Sequence, residues 1–112
     1  MAGSNVWVKS GRVTDLLSNK TTTVTGDWKF KDAPKAAIQA TVTGTGSVSA
    51  TIVLEVSNDG VNALATTLGT ITLSGTTSNS DGFTTDAPWK YIRAKVTAIS
   101  GTNATVNVMQ SV

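Results

Sequence analysis

Apolar and polar residues alternate along several stretches of the chain. From Val48 to Val56 every second residue is apolar, and the residues between them are mostly polar. The same alternation occurs at 38–42, 92–96 and 104–108. A period of two places successive side chains on opposite faces of a β-strand, so each stretch is predicted to be a strand with one buried face. The predicted core consists of Ile38, Ala40, Val42, Ile52, Leu54, Ile92, Ala94, Val96, Val106 and Val108.

Two segments of the chain carry related sequences. Residues 32–57 recur without a gap 54 positions later, as residues 86–111. The most distinctive match is Asp32-Ala33-Pro34 with Asp86-Ala87-Pro88. A duplication that covers about half of the chain predicts two similar β-units, which bury their apolar faces against each other.

Clusters of Gly, Asn, Asp and Ser interrupt the alternation, for example at 43–46, 57–60 and 100–101. These residues tolerate the positive φ of tight turns. We therefore expect each cluster to end a strand, and each copy to contain a long hairpin. At 13–17 the spacing hints instead at a single helical turn.

The predicted fold class is all-β, a single jelly-roll-like β-sandwich made of two pseudo-symmetric copies of a β-hairpin unit. Residues 1–20 lie largely outside the repeat and are predicted to form an N-terminal arm. The β-sandwich domain is predicted at 21–112, with its copies at about 22–57 and 76–111.

The composition argues against several kinds of chemistry. The 112 residues contain no cysteine and no histidine, which removes disulfides, thiolates, zinc sites of sulfur or imidazole, and nucleophile–histidine pairs. With 9 basic and 7 acidic residues the net charge is +2, too small to predict nucleic-acid binding. No apolar run approaches the ~20 residues that span a bilayer, and no signal peptide is visible. We expect no catalytic residues, no cofactor and no membrane partner.

Aspartates in the turns are the candidate metal ligands, because carboxylates and loop carbonyls together bind calcium. Capping of the turn by hydrogen bonds from nearby backbone N–H groups explains the same residues more simply, so no metal is expected. The aspartates concerned are Asp27, Asp32, Asp59, Asp81 and Asp86.

The two copies differ most on one strand face. Trp89, Tyr91, Arg93 and Lys95 alternate with apolar residues, so all four are predicted on the outer face. The corresponding residues of the first copy are small or polar: Lys35, Ala37, Gln39 and Thr41. Aromatic and arginine side chains suit a protein interface, and aromatic rings also suit stacking on sugars. Coverage by another part of the same chain is the third explanation.

Two further aromatic groups lie outside this strand. Val6, Trp7 and Val8 form an apolar group in the predicted arm, which either packs on its own domain or contacts a neighbouring chain. We include these three with Trp89, Tyr91, Arg93 and Lys95 as predicted interface residues. Trp28 and Phe30 alternate with lysines and are expected in the core, since aromatics in short strands are usually buried. The alternative is a second aromatic–basic patch.

The turn Ser57-Asn58-Asp59-Gly60, followed by the late strand Trp89-Lys90-Tyr91-Ile92-Arg93-Ala94, resembles small all-β virion proteins of tailed bacteriophages. The resemblance implies a structural role as a capsid decoration, cement or fibre-associated subunit. It also implies location in the virion after synthesis in the host cytoplasm, and binding to the major capsid or other virion proteins. A homo-oligomer is implied as well, with a trimer favoured over a dimer.

The order of the same two motifs is also similar to that of discoidin-like carbohydrate-binding modules, which implies adhesion through a bound glycan. Those modules often carry an aromatic residue soon after the turn, where this chain has Asn62-Ala63-Leu64. A carbohydrate-binding adhesion module is therefore kept as the alternative function.

Overall fold

β-Strands account for most of the structure. The computed structural model describes residues 13–31 and 35–112, and these contain no helix, hence none that could cross a membrane. The strands form one antiparallel sheet in the order β1-β6-β4-β5, with β2 and β3 also paired to β6. The predicted all-β class is confirmed. The strands are β1 (Val13–Lys20), β2 (Val24–Thr25), β3 (Lys29–Phe30), β4 (Ala36–Ser57), β5 (Gly69–Thr85) and β6 (Tyr91–Ser111).

The three long strands bend at a common line. The 22 residues of β4 would extend for roughly 70 Å if the strand were straight, whereas the molecule is 47 Å in its longest dimension. The pairing of β4 with β5 and β6 shifts register between Thr43 and Ser49. Positive φ angles occur near this line in every long strand, at Gly46, Thr77 and Gly101. Each long strand therefore turns a corner and continues on the other side.

This bend corrects one prediction from the sequence. The clusters at 43–46 and 100–101 do not end strands, because backbone pairing resumes beyond each of them. Residues 36–57 are consequently one bent strand rather than a hairpin. The cluster at 57–60 does follow the end of β4, as expected.

The corner folds the sheet into two layers. Layer A contains β1, the first half of β4 and the second halves of β5 and β6, whereas layer B contains β2, β3 and the remaining halves. On both open sides of this sandwich a glycine of layer B allows a side chain of layer A to approach closely. A Cβ on Gly69 of layer B would lie 2.7 Å from the ring of Phe83 in layer A, and one on Gly26 would lie 2.7 Å from Leu17 Cδ2.

The apolar faces of the two layers form one continuous core. All ten residues predicted to be buried are at most 1% exposed, so the period-two assignment of faces is confirmed. The core also includes residues outside the repeat, among them Leu16 and Leu17 of β1 and Ile71 and Leu73 of β5.

The pairing of β4 with β6 matches the sequence repeat. Ile38 pairs with Gln110, and its repeat counterpart Ile92 pairs with Val56, which is the counterpart of Gln110. On both sides of the irregular corner the register has a local two-fold axis, which relates residues 37–42 to 91–96 and residues 52–57 to 106–111. The sequence repeat and the two-fold symmetry of the pairing therefore coincide in these parts of the two strands.

Part of the predicted N-terminal arm belongs to the sheet. Residues 13–20 form β1, which pairs with the end of β6 and buries two leucines. The helical turn suggested at 13–17 is not formed, because β6 offers this segment a strand partner. Residues 1–12, which include the predicted interface residues Val6, Trp7 and Val8, lie outside the described residues, as does Asp32.

Candidate interaction surface

The outer face of layer B carries most of the aromatic and basic residues singled out in the sequence. Ile92, Ala94 and Val96 are at most 1% exposed. Because side chains alternate along a strand, Tyr91, Arg93 and Lys95 lie on the opposite, outer face and are each partly exposed.

Trp28 and Phe30 belong to the same surface, so the expectation that they are core residues is wrong. β3 pairs with the start of β6, and Phe30 is the direct partner of Tyr91. Direct partners in a sheet point to the same side. Phe30 is 62% exposed, and its ring stacks on that of Tyr91 with 4.9 Å between the centroids. We call Trp28, Phe30, Tyr91, Arg93 and Lys95 the aromatic–basic surface.

Arg93 is held at the centre of this surface by two neighbours. Its Nε donates a hydrogen bond of 2.7 Å to Oε1 of Glu55, the residue paired with it on β4. Its guanidinium carbon also lies 4.4 Å from the centroid of the Trp28 ring, within the range of a cation–π interaction. Two different contacts therefore fix the orientation of one long side chain before any partner binds.

Trp89 does not share the outer face, which corrects its predicted position. β6 begins at Tyr91, so the alternation that places Tyr91 and Arg93 outward does not extend back to residue 89. Trp89 is partly buried and packs against the hydrophobic core. Of the four residues predicted on this face, the structure brings three together.

The turn after β4 supports the surface from one side. Both carboxylate oxygens of Asp59 accept hydrogen bonds, from the Ser57 hydroxyl, the backbone N–H groups of Val61 and Asn62, and the Asn62 amide. These donors, led by the Ser57 hydroxyl, hold the pKa of the Asp59 carboxyl well below its ordinary value. Asp59 thus caps the turn. Gly60, at φ 69°, lies against the Tyr91 ring, where an added Cβ would be 3.3 Å from the ring.

Buried polar groups lie behind the end of β3. Lys31 is fully buried; burial lowers the pKa of its ammonium group, and the nearby charge of Asp86 opposes that change. The backbone N–H of Lys31 donates to the Lys90 carbonyl, and Gln110 Nε2 donates to the Phe30 carbonyl. These bonds tie β3, which is only two residues long, to the sandwich.

The sequence gives an aromatic–basic patch at Trp28 and Phe30 only as the alternative to a core position, and it assigns no role to Glu55. The alternation of β4 indicates that Glu55 points outward. It does not indicate that Arg93 is the partner of Glu55. The direction of Phe30 depends on its pairing with Tyr91, which is 61 residues away in the chain. Within residues 13–31 and 35–112 no group of three or more acidic side chains is placed to hold a metal ion.

Comparisons with known proteins assign no family. No family model and no curated protein matches the chain. Among solved structures, a structure of infectious bursal disease virus, Gx strain, is similar at 14% sequence identity with a TM-score of 0.47. The match covers 91% of this chain and 32% of that chain, so this protein spans about a third of its length. A TM-score below 0.5 does not by itself establish a common fold.

Proposed function

We propose that this protein is a structural subunit of a tailed-phage virion, a small decoration or cement-type protein that binds the major capsid or another virion protein. The aromatic–basic surface is the observation that carries the proposal. In this view the chain acts by binding rather than by catalysis, and it assembles with further copies of itself.

The arrangement of the surface suits a protein contact. Phe30 leaves most of its ring exposed, yet its stacking on Tyr91 limits its freedom. Arg93 is similarly restrained by Glu55 and Trp28. Side chains already ordered in the free protein lose little entropy on binding, and aromatic and arginine residues are the usual energetic centres of interfaces.

Binding of a glycan is the second candidate, and the exposed ring of Phe30 favours it. A sugar ring can stack on an exposed aromatic face, while the polar neighbours of that face supply hydrogen bonds. The protein interface ranks first because the surface also presents an arginine that its Nε hydrogen bond to Glu55 orients in advance. Arginine is enriched among the residues that contribute most to protein interfaces.

The test is a binding assay with capsids assembled from the major capsid protein encoded in the same genome. Phe30→Ala and Tyr91→Ala should each weaken binding about thirtyfold, the effect of losing roughly 2 kcal/mol at an interface anchor. Gln39→Ala is the control, because it truncates an exposed side chain on the outer face of the other layer. The control should bind like the parent.

Two outcomes would contradict the proposal. If both aromatic variants fold like the parent and bind capsids unchanged, the interface lies elsewhere. If the parent does not bind capsids but binds defined sugars on a glycan array, and Phe30→Ala abolishes the sugar binding, the adhesion function replaces the structural one.

A further inference from the structure

The free edges of the sandwich are of two kinds. On one side, β2 and β3 are two residues long each, and β1 carries two register shifts and the charged residues Asp15 and Lys20. Short, irregular and charged edges resist pairing with other chains. On the other side, β5 extends for 17 residues. Its outer edge pairs with no strand in the part of the chain that the structure describes.

The half of β5 in layer B is a well-formed edge. Residues 69–74 pair with β4 in unbroken register. Ile71 and Leu73 point into the core and are at most 3% exposed, whereas Thr70, Thr72 and Ser74 are exposed. The segment 69–76 contains neither charge nor proline, the two features that most often block an edge. Its alternate N–H and C=O groups are therefore directed away from β4, in position to bind another strand. The Ser74 carbonyl accepts a hydrogen bond of 3.0 Å from Asn79 Nδ2, and a carbonyl oxygen has a second lone pair for a further donor.

The sequence of this edge is nearly symmetric about Thr72. Gly69 corresponds to Gly75, Thr70 to Ser74, and Ile71 to Leu73. When two such strands pair antiparallel with Thr72 opposite Thr72, every residue faces its counterpart. Hydroxyl side chains then meet on the outer face and aliphatic side chains on the inner face, and both are favourable cross-strand pairs.

We propose that two copies of this protein pair through residues 69–75 of β5, antiparallel and related by a two-fold axis at Thr72. The near-palindrome identifies a second copy as the partner, because a two-fold contact brings a segment against itself. This inference deepens the proposed function by defining how copies assemble. It gives a dimer, in place of the trimer that the sequence resemblance implies.

The dimer has a consequence for binding to a virion. A two-fold axis perpendicular to the sheet keeps both outer faces of layer B on the same side. The two aromatic–basic surfaces then lie on the order of 30 Å apart, from the spacing of strands and residues in a sheet. Two sites on one rigid body bind a repetitive lattice more strongly than one site does, because the second contact forms at high effective concentration.

The first test uses the absence of cysteine in the chain. Paired residues in antiparallel strands have Cα atoms about 4.5–5.5 Å apart, a separation that a disulfide spans. Under mild oxidation, Thr72→Cys should therefore give a covalent dimer. Thr51→Cys is the matched control: Thr51 is the β4 partner of Thr72, on the same face but one strand farther from the edge, and it should remain monomeric on a denaturing gel.

The second test introduces charge at the edge. The parent should sediment as a dimer, and Thr72→Lys should raise its dissociation constant about tenfold or more, because like charges then face each other across the axis. Thr51→Lys should leave the constant unchanged. A parent that is monomeric at about 100 µM, a trimer, or equal cross-linking of the two cysteine variants would overturn the proposal. Neither test uses capsids. A failure of the dimer proposal can therefore be distinguished from a failure of capsid binding.

Discussion

Layers A and B share their strands but differ on their outer faces. Along β4 and β6, inward positions are filled by similar aliphatic residues in both copies, as with Ile38 and Ile92. The outward positions differ: Ala37 and Gln39 in layer A correspond to Tyr91 and Arg93 in layer B. The shared core requires similar volumes from both copies, whereas the outer faces carry no such requirement. We therefore expect the residues that serve the function to lie on the outer faces, where the two layers differ.

The largest expected effect tests the symmetric part of this comparison. Ile38→Ala and Ile92→Ala should each lower the free energy of unfolding by about 2–5 kcal/mol, because each leaves a cavity in the same core. Denaturant unfolding monitored by tryptophan fluorescence would measure both. A loss below about 1 kcal/mol at either position would show that the two copies do not contribute equally to the core.

The core could be predicted from the sequence because burial in a strand follows a local pattern. Each inward residue, such as Val42 or Val96, is identified by neighbours two positions away, and the repeat supplies the same signal twice. The corners could not be predicted in this way. Glycine at 46 or 101 permits either a turn or a bend, and the choice depends on whether a distant strand continues the pairing.

The aromatic–basic surface was only partly predictable for the same reason. The direction of Tyr91 and Arg93 follows from alternation within β6. The direction of Phe30 depends on a two-residue strand that pairs with β6, and the ion pair of Arg93 depends on the register with Glu55. Contacts between residues that are remote in the chain depend on how the strands pair. Alternation within a strand and a single repeat do not reveal that pairing.

A smaller effect tests the asymmetric part of the comparison. Arg93→Ala should lower the free energy of unfolding by about 1 kcal/mol, since it removes a partly exposed ion pair and a cation–π contact. Its counterpart Gln39→Ala should change stability by less than about 0.5 kcal/mol, as is usual for exposed positions. Urea unfolding of the two variants would compare them directly. Equal losses would mean that the outer face of layer B is no more ordered than that of layer A.

The smallest effect concerns the turn at 57–62, which follows β4 and lies beside Tyr91 of layer B. Four hydrogen-bond donors lower the pKa of the Asp59 carboxyl in the folded protein. As the pH falls, Asp59 is therefore protonated in the unfolded chain at a higher pH than in the folded protein. The ionised Asp59 carboxylate therefore stabilises the folded state fully above about pH 4, the ordinary pKa range of an aspartate. This stabilisation is lost as the pH decreases through the pKa that Asp59 has in the folded protein. Asp59→Asn should be less stable than the parent at neutral pH, and the difference should narrow on acidification.

Unfolding curves at about pH 7, 4 and 2.5 would measure how the difference in stability narrows. These pH values bracket the ordinary pKa of an aspartate. Asp15→Asn is the matched control, since it removes the same charge from β1, where no side-chain hydrogen bond to Asp15 is present among the described residues. The effect should be small, because Asp59 is exposed to solvent. A constant difference between parent and Asp59→Asn across the whole range would show that the turn is held by its backbone and by Ser57 rather than by the ionised carboxylate.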